Sequence, residues 1–441
     1  MNNKSEIGQS TLEILYDVDE KPPVSKAVPL GLQHVLVMFA GNAALPLILA
    51  SAIGATPETS IYLVQAALLV AGLATLIQAL GIGPIGARLP VVMGTSLGFI
   101  LVGIPIAQEF GLPAVFGGAV AAGIVQVLFG ATIKWIRFLF PPLVTGIVVT
   151  IIGLSLLPVG MNLAAGGAGS PGYGHPVNLA LAGFVAFVII IVNQFSRGFT
   201  SLIAILIGII SGYLAAIPLG LVDFDIIREA PWLALPVPFE MGISFPLASI
   251  LAMGVMSIAV AIETVGDLAA ITKSGADREI TAKQMSGGLI GDGVGTALAS
   301  VFGALPNTSL SQNVGVVAFT GVVSRYVVAV GAVFLVVFAL IPKLGGVISA
   351  MPAAVLGGAA LVMFAMVAAT GIKMLAESRL DRRNMLIIAL SLGAGLGISL
   401  VPESIQYFPH QLQVMLRTGI IQAAFLAIAL NQVLPESRSG R

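Results

Sequence analysis

Long apolar runs, separated by short polar breaks, dominate the chain. Reading between the charged residues gives apolar stretches near 29–51, 60–82, 89–107, 113–131, 138–160, 177–196, 199–222, 247–271, 285–304, 305–323, 326–342, 348–372, 384–402 and 418–435. Most approach the roughly 20 residues a helix needs to cross the hydrocarbon layer. The pattern predicts an all-α polytopic membrane protein with 14 transmembrane segments. Two stretches are irregular at their starts. Leu89-Pro90 leads into Gly94-Thr95-Ser96, and Leu305-Pro306 leads into Asn307-Thr308-Ser309-Leu310-Ser311-Gln312-Asn313. They stand third in each half of seven, and a repeat unit with an odd number of spans must insert in the opposite orientation. Backbone left unpaired in lipid costs several kcal/mol per group, so broken segments survive only where they line a cavity within the protein. Two of them at equivalent repeat positions point to a binding site at the midplane, with helix N-termini facing the ligand.

Charge narrows the class further. Only 9 % of the 441 residues are charged and 57 % are hydrophobic, whereas soluble domains carry about a quarter charged residues. A soluble enzyme, a nucleic-acid binder and a disordered chain are excluded. The absence of cysteine removes disulfides, thiolate nucleophiles and Cys-ligated metals. With the N-terminus inside, 17 of the 20 basic residues fall in inner segments, and Arg228, Lys343 and Arg417 fall outside. Positive-inside orientation predicts this bias, with both termini cytoplasmic.

Three carboxylates lie inside apolar stretches: Glu263, Asp267 and Asp292. Insertion of such a group costs about 2.5–3.5 kcal/mol, so each is a candidate for substrate binding or ion coupling. Glu263 and Asp267 are four apart and share a helix face. Two carboxylates so placed do not both ionise easily, which suits a proton carrier. Asp292 lies in Gly291-Asp292-Gly293-Val294-Gly295, whose glycines predict close helix packing. His34, in the first span, is expected to organise the site rather than to bind metal. Gln312 and Asn313, side by side at a broken helix, supply amide donors and acceptors without net charge. Their natural partner is a flat, neutral, polar ligand. Asn313 is equally suited to a structural role.

The run Gln312-Asn313-x-Gly315-x-x-x-x-Thr320-Gly321 resembles the signature of the nucleobase–ascorbate transporters, the second group of nucleobase:cation symporters. Gln33-His34-Val35-Leu36-Val37-Met38 with Pro46, the Glu263–Asp267 pair and Gly291-Asp292-Gly293 match in the same order, over roughly residues 29 to 436. The resemblance implies two inverted seven-segment repeats, with short antiparallel strands and half-helices in segments 3 and 10. It also implies a division of the chain. Residues 1–28 form a cytoplasmic tail, 29–131 and 247–344 a core domain (spans 1–4 and 8–11), and 132–222 and 345–436 a gate domain (spans 5–7 and 12–14). An outer loop at 223–246 and a tail at 437–441 complete it. Family members are typically homodimers that move core against gate. Glu263 matches the substrate-binding glutamate and Gln312 the signature residue on the base. Asp292 and Asp267 match carboxylates linked to affinity and coupling, and His34 matches the first-span histidine of the core. Backbone N–H groups near Ser96 and Ser311 would complete the contacts. Gln and Asp at positions 312 and 267 follow the xanthine and uric acid branch. The family often has Phe where Leu97 and Leu310 stand, and Phe99 is the candidate to supply one ring from a shifted position.

The resulting expectation is import of xanthine or uric acid with a proton, sodium being the alternative ion, and with no cofactor. Uracil or another nucleobase is the nearest alternative. In another class stands an anion exchanger or channel of the same inverted-repeat architecture, although no Lys or Arg lies inside a span to hold an anion. A membrane-embedded enzyme lacks the necessary catalytic cluster. The expected partners are a small nucleobase, membrane lipid and a second copy of the chain, and no nucleic acid.

Overall fold

A computed structural model describes residues 14–276 and 278–435; the tail segments 1–13 and 436–441 lie outside the described residues. The first half comprises α1 (Val24–Ile53), α2 (Pro57–Leu80), β1 (Met93–Thr95), α3 (Leu97–Phe110), α4 (Leu112–Ile136), α5 (Pro142–Ala164), α6 (Pro176–Phe195), α7 (Phe199–Leu202) and α8 (Ala204–Ala216). A short α9 (Phe224–Glu229) interrupts the outer loop. The second half comprises α10 (Leu247–Ala276), α11 (Ala282–Val301), β2 (Asn307–Ser309), α12 (Gln312–Thr320), α13 (Arg325–Ala339), α14 (Pro342–Ser349), α15 (Ala353–Ala376), α16 (Arg382–Leu400), α17 (His410–Leu416) and α18 (Ile420–Val433).

Helix ends follow local chemistry. Thr56 caps α2 ahead of Pro57, Thr281 and Gln284 form a capping box on α11, and Asp381 caps α16. Each accepts from N–H groups that have no partner within the helix. Every apolar stretch coincides with a helix or a strand-plus-helix unit. By length and composition, eight helices among the described residues can each cross a bilayer, or ten if the bent pairs α13–α14 (80°) and α17–α18 (79°) each count as one. The eight are α1, α2, α4, α5, α6, α10, α15 and α16. The stretches 89–107 and 305–323 do not fold as single helices, because proline and the polar run behind it favour extended backbone.

Those two stretches pair instead. β1 runs antiparallel to β2, with Met93 opposite Ser309, Gly94 opposite Thr308 and Thr95 opposite Asn307. The ladder continues through the Ser96 N–H to the Pro306 carbonyl (3.0 Å) and the Leu310 N–H to the Val92 carbonyl (3.0 Å). Both strands are fully buried, so their outward N–H groups also need partners. Thr75 Oγ1 of α2 accepts from the Met93 N–H at 2.9 Å, and Asn42 Oδ1 of α1 accepts from the Thr95 N–H at 2.7 Å.

The helices form two sets. In one, α2 packs on α13, α11 on α4, α10 on α4 and α1 on α13. In the other, α15 packs on α5 and α6, α6 on α8, and α16 and α18 on each other and on α5. Glycine permits the closest crossings. A Cβ on Gly293 would lie 2.6 Å from the Gly123 carbonyl oxygen, so α11 and α4 touch backbone to backbone, as the small-residue run predicts.

Part of the first tail is packed: residues 15–20 dock on the turn between α12 and α13. The Leu15 N–H donates to the Gly321 carbonyl, Val323 and Arg325 N–H groups donate to the Tyr16 and Val18 carbonyls, and Asp19 pairs with Arg325 at 2.7 Å. Val18 is buried there. This segment presents the Val18 side chain and exposed backbone edges, and the turn satisfies both.

Candidate functional site

One face of α1 braces both strand–helix units. His34 and Asn42 are two turns apart and therefore share that face. His34 Nδ1 lies 2.9 Å from Asn313 Oδ1, at the start of α12. Asn313 Nδ2 in turn donates to the Pro90 carbonyl, just before β1. Asn42 holds Thr95, at the end of β1. Asn313 is thus engaged at both ends of its amide, the structural role of the two the sequence left open. Asn313→Ala is expected to release His34 and a buried carbonyl together and to lower stability by about 1–3 kcal/mol. A thermal melt of the purified protein checks this, with Asn313→Asp retaining only the acceptor.

The carboxylates stand on α10 and α11. Asp267 Oδ2 accepts from Ser309 Oγ at 2.7 Å and also bonds Ser311. Asp292 Oδ2 accepts from Thr264 Oγ1 at 2.6 Å and from Gln126 Nε2 of α4 at 3.3 Å. Thr264 also lies 3.2 Å from Thr308 Oγ1 on β2. The three carboxylates lie within electrostatic reach of one another. Glu263 is half-buried. Among the described residues its Oε2 has no hydrogen-bond partner, and neither do Asp292 Oδ1, Thr95 Oγ1, Ser96 Oγ, Asn42 Nδ2 or His34 Nε2. Buried polar atoms are normally paired, so such a concentration of unpaired ones marks a place built for something else. No Lys or Arg bonds these carboxylates among the described residues.

The predicted residues divide by exposure. Gln312 is exposed at the head of α12, and Ser311 beside it is exposed as well. Leu97 and Leu310 are partly exposed. Phe99 has no exposed surface and belongs to the main apolar cluster with Ile152 and Val260, so the two leucines carry the accessible apolar surface. Ser96 requires a correction. Its N–H is taken by the Pro306 carbonyl, because the ladder needs that donor, and Ser96 offers its hydroxyl instead.

Sequence reasoning did not single out Asn42, Gln126, Thr264, Thr308 and Ser309. Neutral polar residues are common in membrane helices, so Gln126 and Thr264 give no signal, while Thr308 and Ser309 are marked only as part of the polar run after Pro306. Asn42 gives one: Pro46 four residues later removes the N–H that its carbonyl would accept.

Comparison with known proteins agrees with this arrangement. Residues 25–404 match the model of a permease family. The chain is 38 % identical to the uric acid transporter UacT of Escherichia coli over 94 % of its length and 87 % of the relative's. It is 40 % identical to a xanthine permease of Bacillus subtilis over 92 % of its length and 93 % of the relative's. The fold is shared with a solved structure of the murine Slc26a9 anion transporter in the inward-facing state, with a TM-score of 0.64 at 13 % identity, covering 94 % of this chain and 69 % of that one. With its paired strands, intramembrane carboxylates and signature amides, the chain belongs to this permease family, the nucleobase–ascorbate transporters, and is an integral membrane transporter rather than an enzyme.

Proposed function

We propose that the protein imports an oxopurine, xanthine or uric acid, together with a proton. The observation that carries this reading is that the Glu263 carboxylate oxygen and the Thr95 and Ser96 hydroxyls are all unpaired among the described residues, with Gln312 open at the head of α12. An oxopurine presents ring N–H groups to a carboxylate and an adjacent C=O and N–H edge to an amide. Glu263 accepts the N–H groups and Gln312 reads the neighbouring edge. Leu97 and Leu310 flank the ring. The relatives named for uric acid and xanthine support the substrate class.

Asp292 or Asp267 takes the proton outside and loses it inside. Protonation lowers the cost of carrying the loaded site through low dielectric. Among the described residues the side chains that hydrogen-bond Asp292 are neutral (Thr264 and Gln126), so within that hydrogen-bonded set the carboxylate is the group that takes up and releases the proton.

The packing pairs support inverted repeats of seven. Exchanging each element with its counterpart in the other half turns α2–α13 into α11–α4, α10–α4 into α1–α13, and α6–α8 into α16–α18, all of which are observed contacts. The pairs β1–β2 and α5–α15 map onto themselves. On this reading fourteen segments divide into a core (α1–α4, α10–α13) and a gate (α5–α8, α15–α18), and transport is movement of one against the other within a homodimer. Contacts between loops support both termini facing the cytoplasm. Arg325 meets Asp19, and Arg383 meets the Leu434 carbonyl, all on the predicted inner side, while Lys343 meets the Ile227 and Arg228 carbonyls on the outer.

The test is competition uptake in cells deficient in purine transport, using labelled xanthine against urate, uracil, hypoxanthine and guanine. Xanthine and urate are expected to compete, and a protonophore to stop accumulation. Accumulation that follows sodium instead transfers the coupling to that ion. Failure of every base to compete contradicts the oxopurine reading.

A further inference from the structure

We infer that Asn42 is a further ligand-reading residue of this transporter, its Nδ2 donating to a carbonyl oxygen of the bound oxopurine; the inference rests on the purine reading above. Asn42 is buried on α1. Its Oδ1 is already committed, holding the Thr95 N–H at 2.7 Å. Its Nδ2 has no partner among the described residues. Bracing β1 needs only the oxygen, and a serine, threonine or aspartate could supply one. An unmatched buried N–H donor is costly, so a purely structural asparagine is a poor choice here.

The surroundings identify what Nδ2 serves. Gly94 leaves room between α1 and β2: a Cβ on it would lie 2.6 Å from Leu310 Cδ1 and 3.0 Å from Asn42 Oδ1. The Asn42 amide and the Leu310 side chain therefore approach each other across a residue without a side chain. Leu310 is partly exposed and lies two positions before Gln312. The two residues next to Asn42 along β1, Thr95 and Ser96, carry the unpaired hydroxyls. One amide donor and two hydroxyls without partners thus stand on neighbouring residues of α1 and the end of β1. Glu263 can only accept when ionised, so it reads N–H groups, and a ligand carbonyl needs a donor elsewhere. Asn42 Nδ2 is a committed donor with nothing to donate to. It reads the C=O of a ligand whose N–H is read by Glu263.

The experiment is equilibrium binding of xanthine, 2-thioxanthine and 6-thioxanthine to the purified full-length protein, unmodified and as Asn42→Asp. The aspartate preserves the acceptor for Thr95 and deletes the donor. Sulfur accepts hydrogen bonds poorly, so in the unmodified protein one of the two thio replacements is expected to weaken binding roughly tenfold or more. In Asn42→Asp that same penalty is expected to vanish while the other is unchanged. Asn42→Ala, which is uncharged and removes the donor altogether, carries the same comparison of thio penalties if the aspartate variant does not accumulate. Identical thio penalties in variant and unmodified protein overturn the assignment. So does a uniform weakening of all three ligands, which is what a merely structural brace would produce, and so does the absence of any thio penalty in the unmodified protein. Failure of the unmodified protein to bind xanthine at all would instead overturn the purine reading.

Discussion

Glu263→Gln is expected to abolish xanthine uptake while leaving accumulation of the protein in the membrane intact. The glutamine keeps the shape of the side chain and removes its charge. In the structure Glu263 Oε2 has no hydrogen-bond partner among the described residues, so the fold loses no bond through the change. Relieving a buried charge next to Asp267 and Asp292 removes an insertion cost of about 2.5–3.5 kcal/mol, and a slightly raised melting temperature is expected. The ligand loses the acceptor for its N–H groups and meets an NH2 group in its place. A hydrogen bond to a charged group contributes about 1.5–3 kcal/mol. Two such bonds lost together amount to at least a hundredfold loss of affinity. Uptake and a melt of the same preparation check both halves. Full uptake by Glu263→Gln removes Glu263 from the site.

Cross-linking positions 109 and 410 is expected to stop transport reversibly. Glu109 ends α3, and its carboxylate contacts His410 Nε2 at the start of α17; Phe110 lies edge-on to the same imidazole, with ring centroids 6.4 Å apart. α17 also packs on α10 and leads into α18. On the proposed division, the contact joins the end of a core helix to the corner between two gate helices. It lies far from β1, on the side that the distribution of basic residues makes outer. If core and gate move against each other, this contact must open in each cycle. The chain contains no cysteine, so Glu109→Cys with His410→Cys can be bridged by a short bifunctional disulfide-forming reagent without background. Uptake is expected to fall to that of untransformed cells on bridging and to return on reduction, with each single-cysteine variant unaffected by the reagent. Undiminished uptake with the bridge formed contradicts movement at this contact.

What was legible in the sequence follows from cost. A carboxylate inside an apolar run is expensive, so Glu263, Asp267 and Asp292 stood out without any structure, and the structure gathers them around one strand pair. Proline followed by polar residues is equally conspicuous, and the two Leu-Pro openings marked the segments that become β1 and β2. Neutral side chains carry no such cost. Thr264, Gln126 and Ser309 organise the carboxylates but read as ordinary helix and strand residues, because pairing between distant segments is a property of the tertiary fold. The short helix α14, set off by the bend at Pro342, was hidden because it falls between the stretches 326–342 and 348–372, where Lys343 and the glycine pair at 345–346 read as an outer loop. Asn313 shows the limit from the other side. It sits next to Gln312 and is chemically alike, yet one amide is locked between α1 and the chain before β1 while the other is exposed. Only the position of α1 separates the two roles. The backbone N–H of Ser96 misled for a related reason: a helix N-terminus reads as a free donor until the opposite strand claims it.

Direct binding to the purified protein in lipid nanodiscs tests the central claim most closely, since it needs neither a coupling ion nor a complete transport cycle. Labelled xanthine is predicted to bind saturably, to be displaced by urate and by unlabelled xanthine, and to show no binding to Glu263→Gln. Displacement by sulfate or bicarbonate with no response to any base would contradict the account and place the protein with anion carriers of the same fold.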